Sequence, residues 1–269
     1  MYNLLKGKRG IIFGALDENS IAWKVAKRCH EEGALFTLTN APVALRLGAI
    51  NQLASECSSQ VIPADVTSDT DLENLLDKSI EILGGKIDFI LHSVGMSLNI
   101  RKGKAYTGLD YEFLKKTLDI SAISLHRLLQ ACIKKDAIAE WGSVVALTYI
   151  AAQRVFPDYN DMADAKSLLE SITRNFGYQY GAKKKVRVNT ISQSPTKTTA
   201  GSGVKGFDAF FNYAEAMSPL GNATAEDCAN YCVVMFSDLT RKVTMQNLFH
   251  DGGFSFTGVS LPVIEKFMK

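Results

Sequence analysis

Residues 10–39 read GIIFGALDENSIAWKVAKRCHEEGALFTLT. The run GIIFG is short, apolar and bounded by glycine, which predicts a buried strand. After the polar turn, Ile21, Ala22, Val25, Ala26 and Cys29 recur at the spacing of one helix face, and residues 35–39 then read as a second strand. This strand, turn, helix, strand rhythm continues along the chain. A helix is expected over 43–57 behind Pro42, a strand over 60–64 ending at Asp65, a helix over 72–83 opened by Ser68 or Asp69, and a strand over 87–92. A long helix over 111–135, a strand over 142–148, a helix over 159–180 and a strand over 186–191 follow. A helix over 224–236, capped by Thr224 with Glu226 and Asp227 in its first turn, leads to a last strand over 246–250. Parallel neighbours need crossover connections, so the regular alternation predicts a single doubly wound, Rossmann-like α/β domain over 1–269. Its sheet is parallel, with about seven strands and helices on both faces.

The chain has 269 residues, 46% hydrophobic and 22% charged, enough for one sizeable core. A formal charge of +2 gives no electrostatic case for a nucleic-acid or membrane partner. Lys183, Lys184, Lys185 and Arg187 read as a solvated helix end. Five cysteines, odd in number and without CxxC, indicate neither a disulfide framework nor a metal site. The N-terminus lacks an apolar core of signal-peptide length and no long apolar run occurs, so the expectation is a cytoplasmic protein.

Ligands of doubly wound sheets bind beyond the carboxyl ends of the strands, which singles out those residues. The first turn lacks the full G-x-G-x-x-G; Gly14 stands where a glycine belongs, and Ser20 and Ile21 open the helix, whose amides can receive a pyrophosphate. Asn40 follows the second strand, and Asp65-Val66 after the third suit an adenine edge. Ser93-Val94-Gly95 after the fourth let a backbone approach a ribose. Thr148 ends the fifth; Pro195, Thr196 and Thr198 follow the sixth, where a nicotinamide amide would lie. Together they outline a dinucleotide site. Tyr159 and Lys166 are seven apart, so a helix containing both sets a phenol and an ammonium on one face. The ammonium and a helix N-terminus after Pro157 are expected to lower the phenol pKa. Tyr180 and Lys184 form a second Tyr/Lys pair, read as surface. The Gly-rich, then aromatic, residues 198–218 are a candidate substrate lid, hinged at Gly201, Gly203 and Gly206, with Phe207, Phe210, Phe211 and Tyr213 as its wall. The alternative is an ordinary surface helix with a buried stripe.

These residues, with Tyr149 and with His250-Asp251-Gly252-Gly253, resemble the bacterial NADH-dependent enoyl-acyl-carrier-protein reductases, a divergent branch of the short-chain dehydrogenases. The resemblance covers nearly the whole chain, and its most specific part is the Y-x9-Y-x6-K spacing of Tyr149, Tyr159 and Lys166. It implies NADH as cofactor, an acyl carrier protein bearing a 2-enoyl chain as partner, a homotetramer, a catalytic Tyr159/Lys166 pair and a lid over the acyl chain. Tyr149 is then assigned to positioning the thioester carbonyl, and Met96 and Phe207 to contacting the substrate. The wide spacing has a chemical reason: in an enoyl thioester charge appears on an oxygen two carbons beyond the carbon that receives hydride, so the acid must stand further out than in a ketone reductase. Lys205 matches the basic residues common in the family's lid, whereas Asp208 and Ala209 depart from them. NADH is expected over NADPH because Asn40-Ala41-Pro42 offers no cation for a 2′-phosphate, with Arg46 the one residue able to overturn this. Two rivals remain, a short-chain carbonyl reductase or alcohol dehydrogenase and a catalytically silent nucleotide sensor on the same fold.

Overall fold

The computed structural model describes residues 2–46, 49–199 and 206–268. Seven strands, β1 (Arg9–Phe13), β2 (Leu35–Thr39), β3 (Gln60–Val61), β4 (Ile87–His92), β5 (Ile138–Thr148), β6 (Arg187–Gln193) and β7 (Asn247–His250), form one sheet in the order 3-2-1-4-5-6-7. All pairings are parallel. The connections carry α1 (Ile21–Glu31), α2 (Pro42–Leu45), α3 (Ala49–Glu56), α4 (Asp69–Leu83), α5 (Leu98–Arg101), α6 (Tyr111–Leu118), α7 (Ser124–Lys134) and α8 (Asn160–Lys184). After β6 come α9 (Phe207–Met217) and α10 (Ala225–Phe236), and α11 (Leu261–Glu265) follows β7.

Period-two alternation sends successive strand side chains to opposite faces, and each face buries its own cluster. Ile12, Leu38, Phe89, Leu91, Val145 and Ile191 pack under α1, α3 and α10. Ile11, Phe13, Ile90, Val144, Ala146 and Val188 pack under α4, α7 and α8. Each fully buried side chain of this size contributes about 1.5–3 kcal/mol of transfer free energy. Gly10 has a packing reason: a Cβ there would come within 2.1 Å of the Phe89 ring, which stacks on Phe236 with centroids 4.7 Å apart.

Several boundaries differ from the sequence reading. The third strand runs only over Gln60–Val61, although Ile62 and Ala64 still donate to the Leu38 and Asn40 carbonyls; Pro63 between them faces the open edge of the sheet, where its missing amide is tolerated. The helix expected over 43–57 is two pieces, α2 and α3. The helix expected over 111–135 is interrupted by a π-helical turn, Asp119–Ile123, between α6 and α7. β5 starts four residues early through an irregularity in which Trp141 takes φ +65°. Ser68 caps α4 by accepting from the Asp71 amide, and Thr224 and Asp227 complete a capping box on α10, as the sequence predicts.

Two polar residues read as surface are core. Tyr180 is buried against the α7 side of the sheet, and Arg187 is 2% exposed. The Arg187 guanidinium donates to the carbonyls of Met235 (3.0 Å) and Ser237 (3.2 Å) and so closes the C-terminal end of α10.

Candidate active site

A cavity of about 830 Å³ opens at the carboxyl ends of β1, β2, β4, β5 and β6. The residues of the dinucleotide outline line it: Gly14, Ser20 and Ile21, then Asn40, Asp65 and Val66, then Ser93 to Met96, and Thr148, Pro195, Thr196 and Thr198; His250 to Gly253 do not. Tyr149, Tyr159, Lys166 and Phe207 join them. The first turn is drawn against the fourth strand's end. Gly14 has φ +90°, and a Cβ on it would lie 1.9 Å from the Ser93 carbonyl oxygen, so only glycine lets the two loops meet. The Ser20 hydroxyl is engaged locally, donating to the Asp17 carbonyl (2.7 Å) and accepting from the Leu16 amide. It therefore shapes the turn and leaves the helix amides to face an anion. Asn40 spends its amide on the backbone too, donating to the Ala15 carbonyl and accepting from the Ala41 amide. Arg46 is exposed and does not line the cavity.

Tyr159 stands just ahead of α8 rather than within it. Its neighbours Asp158 and Asn160 both have left-handed φ, +64° and +43°, a conformation that Asp and Asn tolerate better than other residues with side chains. The ring lies 5.2 Å from the Tyr149 ring, which in turn lies 5.1 Å from Phe156. Burial pushes the Tyr159 phenol above its ordinary value of 10.0. The expected lowering by Lys166 and the helix end is thus not found, and the group is a neutral hydrogen-bond donor at neutral pH. Tyr149 is pushed up likewise, by burial first and then by Tyr159 and Asp251.

Lys166 is 8% exposed and donates to the Leu147 carbonyl at 2.8 Å. Burial lowers its pKa to about 8, against a smaller upward pull from Glu170. Glu170 is itself buried, accepting from the Thr148 hydroxyl and the Gln153 amide, each at 3.0 Å, and burial raises its pKa. Gly95 leaves room in front of the ammonium: a Cβ there would reach to 3.8 Å from Lys166 Nζ.

Three contributors went unread in the sequence. Phe156 lines the cavity and bridges Tyr149 to Phe210 of α9, 5.9 Å away. Arg101 lines it as well. Asp161, fully buried in the first turn of α8, accepts from Ser97 Oγ (2.6 Å), Asn99 Nδ2 (2.8 Å) and Thr117 Oγ1 (2.8 Å). It thereby fastens the loop after Met96 to the helix after Tyr159. An acidic residue two places past the tyrosine was the available signal.

From the expected lid wall, Phe207 and Phe210 face the cavity. Phe211 and Tyr213 do not; Phe211 sits under Lys197 Nζ, and Tyr213 packs on Phe254. Gly201, Gly203 and Lys205 lie outside the described residues. Tyr180 is remote from the cavity, so the second Tyr/Lys pair plays no part here.

Residues 14–255 match the family model described as Enoyl-(Acyl carrier protein) reductase. Among curated proteins the chain is similar to enoyl-[acyl-carrier-protein] reductase [NADH] 2 of Rhizobium meliloti, 33% identical over 267 residues that span 98% of this chain and 97% of the relative. Among solved structures it resembles a FabI–NADH complex from Alistipes finegoldii, with TM-score 0.96, 65% identity, and coverage of 97% of this chain and 92% of that one. It also resembles the Bacillus cereus enoyl-acyl carrier protein reductase solved with NADP+ and indole naphthyridinone, with TM-score 0.88, 30% identity, and coverage of 95% and 99%.

Proposed function

The chain belongs to the enoyl-(acyl carrier protein) reductase family, and on that premise we propose that it reduces the trans-2 double bond of an enoyl thioester carried on acyl carrier protein, using NADH. The observation that carries this is one cavity holding Tyr149, Tyr159 and Lys166 together with the ends of five parallel strands. The residues present fit the cofactor. The first amides of α1 have no side-chain cap and can receive an anion, the space before Gly95 can admit a ribose, and the buried ammonium, with the Leu147 carbonyl as its acceptor, keeps two N–H groups for ribose hydroxyls.

NADH, when bound, supplies the hydride received at C3 of the chain. Lys166 holds the ribose hydroxyls and places a positive charge behind the reacting carbons. Tyr159 donates a hydrogen bond to the thioester carbonyl oxygen as negative charge gathers there, a donor fixed in place before the reaction. Because burial keeps the phenol protonated, this donor is present throughout the neutral range. Tyr149 packs on Tyr159 and sets where that oxygen lies; Met96, Phe156 and Phe207 enclose the acyl chain and exclude water.

Residues 198–218 act as the substrate lid in this reading, since Phe207 and Phe210 close the cavity from that side. The chain is read as one reductase domain, 1–269, that works as a cytoplasmic homotetramer. In support of assembly, Phe256, Val259, Leu261 and Phe267 leave a run of exposed apolar surface near the C-terminus. The test is NADH oxidation, followed by absorbance, with crotonyl-CoA and a 3-oxoacyl thioester in parallel. Reduction of crotonyl-CoA alone is expected; preference for the 3-oxoacyl substrate would make the protein a carbonyl reductase, and no turnover of either a sensor.

A further inference from the structure

We infer that the carrier protein docks on the cationic loop formed by Arg101, Lys102 and Lys104, at the Tyr159 side of the cavity mouth. This rests on the enoyl-thioester reading above. The loop leaves the site at Gly95–Met96, in front of Lys166, and Ser97, Ile100 and Arg101 continue the cavity wall outward. Arg101 to Lys104 then emerge fully on the surface. Among the described residues, Arg101 and Lys166 are the cations that line the cavity, and Lys166 is buried at its floor.

The platform is held in place. Asp161 fixes Ser97 and Asn99, and the side-chain amide of Asn160, next to Tyr159, donates to the Lys104 carbonyl. A partner docked here is therefore registered directly against the catalytic tyrosine. The charges are also available. Arg101, Lys102 and Lys104 make no ion pair among the described residues, Lys102 resting its ammonium over the Phe113 ring at 5.0 Å, whereas nearby Lys115 is taken up by Glu112 at 2.7 Å. The carboxylates beneath the loop are occupied: Asp161 is buried in its three hydrogen bonds, Asp110 caps α6, and Asp164 accepts from the Tyr106 hydroxyl at 3.3 Å. On the opposite rim, among the described residues, Asp208 in the first turn of α9 lies 3.8 Å from Lys197 and offsets its charge. An acidic carrier would meet an unpaired cationic rim at Arg101, Lys102 and Lys104, and complementary rim charge acts on encounter and registration more than on the chemistry.

The test compares wild type with the Lys102→Glu/Lys104→Glu double variant on crotonyl-acyl-carrier-protein and on crotonyl-N-acetylcysteamine, a small uncharged thioester. The variant is expected to raise KM for the carrier-borne substrate by about fivefold or more at low salt, leave its kcat unchanged, and leave the small thioester unaffected. Added salt should raise KM for the carrier in wild type and much less in the variant. An unchanged carrier KM overturns the proposal, as does equal loss on both substrates, which would place the effect in the fold or the site. A wild type that reduces neither thioester would instead remove the reductase reading, and the docking surface with it.

Discussion

Lys166→Met should make the unliganded protein more stable while abolishing its use of NADH. Burial holds the wild-type ammonium at about 8 against an ordinary lysine value of 10.5. At about 1.4 kcal/mol per tenfold change in proton affinity, that difference is about 3 kcal/mol. The native pKa lies below the unfolded one, so the unfolded chain binds more protons between the two values and wild-type stability rises with pH across that window. The cost of the buried charge is thus complete below about 8 and gone above 10.5. Methionine keeps the stem and removes the charge, but it leaves the Leu147 carbonyl without its donor, a loss of about 1–2 kcal/mol. The variant should therefore be more stable by about 1–2 kcal/mol near pH ~7, and the advantage should vanish or reverse near pH ~10. Urea unfolding of both proteins, ligand-free and at one protein concentration, measures this. A variant less stable than wild type near neutrality, or an advantage that does not change with pH, would refute a strained ammonium at this site.

Tyr159→Phe should lower kcat with crotonyl-CoA by roughly 10²-fold or more, the usual loss for one oxyanion donor, while NADH titrated by fluorescence binds as before; weakened NADH binding would show that the phenol serves the cofactor instead. Asp161→Asn places an N–H against groups that already donate to it, costing about 1–3 kcal/mol in urea unfolding and lowering turnover through Tyr159, with NADH affinity intact. An unchanged kcat would limit Asp161 to holding the fold. NADH should exceed NADPH in kcat/KM, because Asn40 is uncharged and committed to the backbone and, among the described residues, no cation lines that part of the cavity. A preference for NADPH that disappears in Arg46→Ala would identify Arg46 as its source.

The sheet was legible because each buried strand is a short apolar run and each crossover a helix, so order along the chain nearly dictates the architecture. What failed depended on single residues or distant partners. The helix expected over 43–57 is split into α2 and α3, and one π-helical turn at Asp119–Ile123 is invisible to a 3.6-residue period. Arg187 looked solvated because the carbonyls it serves, those of Met235 and Ser237, lie 48 and 50 residues downstream. The same division holds in the site. Residues at strand ends were found because their position follows from the strand. Phe156, Arg101 and Asp161 were missed because their place is set by how two loops fold against each other. The protonation of Tyr159 was misjudged because spacing reports neighbours along a helix and says nothing of desolvation.

The strand order also sets a schedule for synthesis. β1 is made first yet lies near the middle of the sheet, between β2 and β4, and the Arg9 amide is satisfied by the Asp88 carboxylate 79 residues later. At about 5–20 residues per second, a nascent chain waits roughly 4–16 s with the apolar edge of GIIF lacking its second neighbour. Such edges pair with other chains when left open. A chain stopped before Ile87 should accordingly aggregate or be retained by holdase chaperones, and it should not form a stable half-sheet. The complete chain escapes only when β4 arrives to cover the strand that leads into the Gly14 turn.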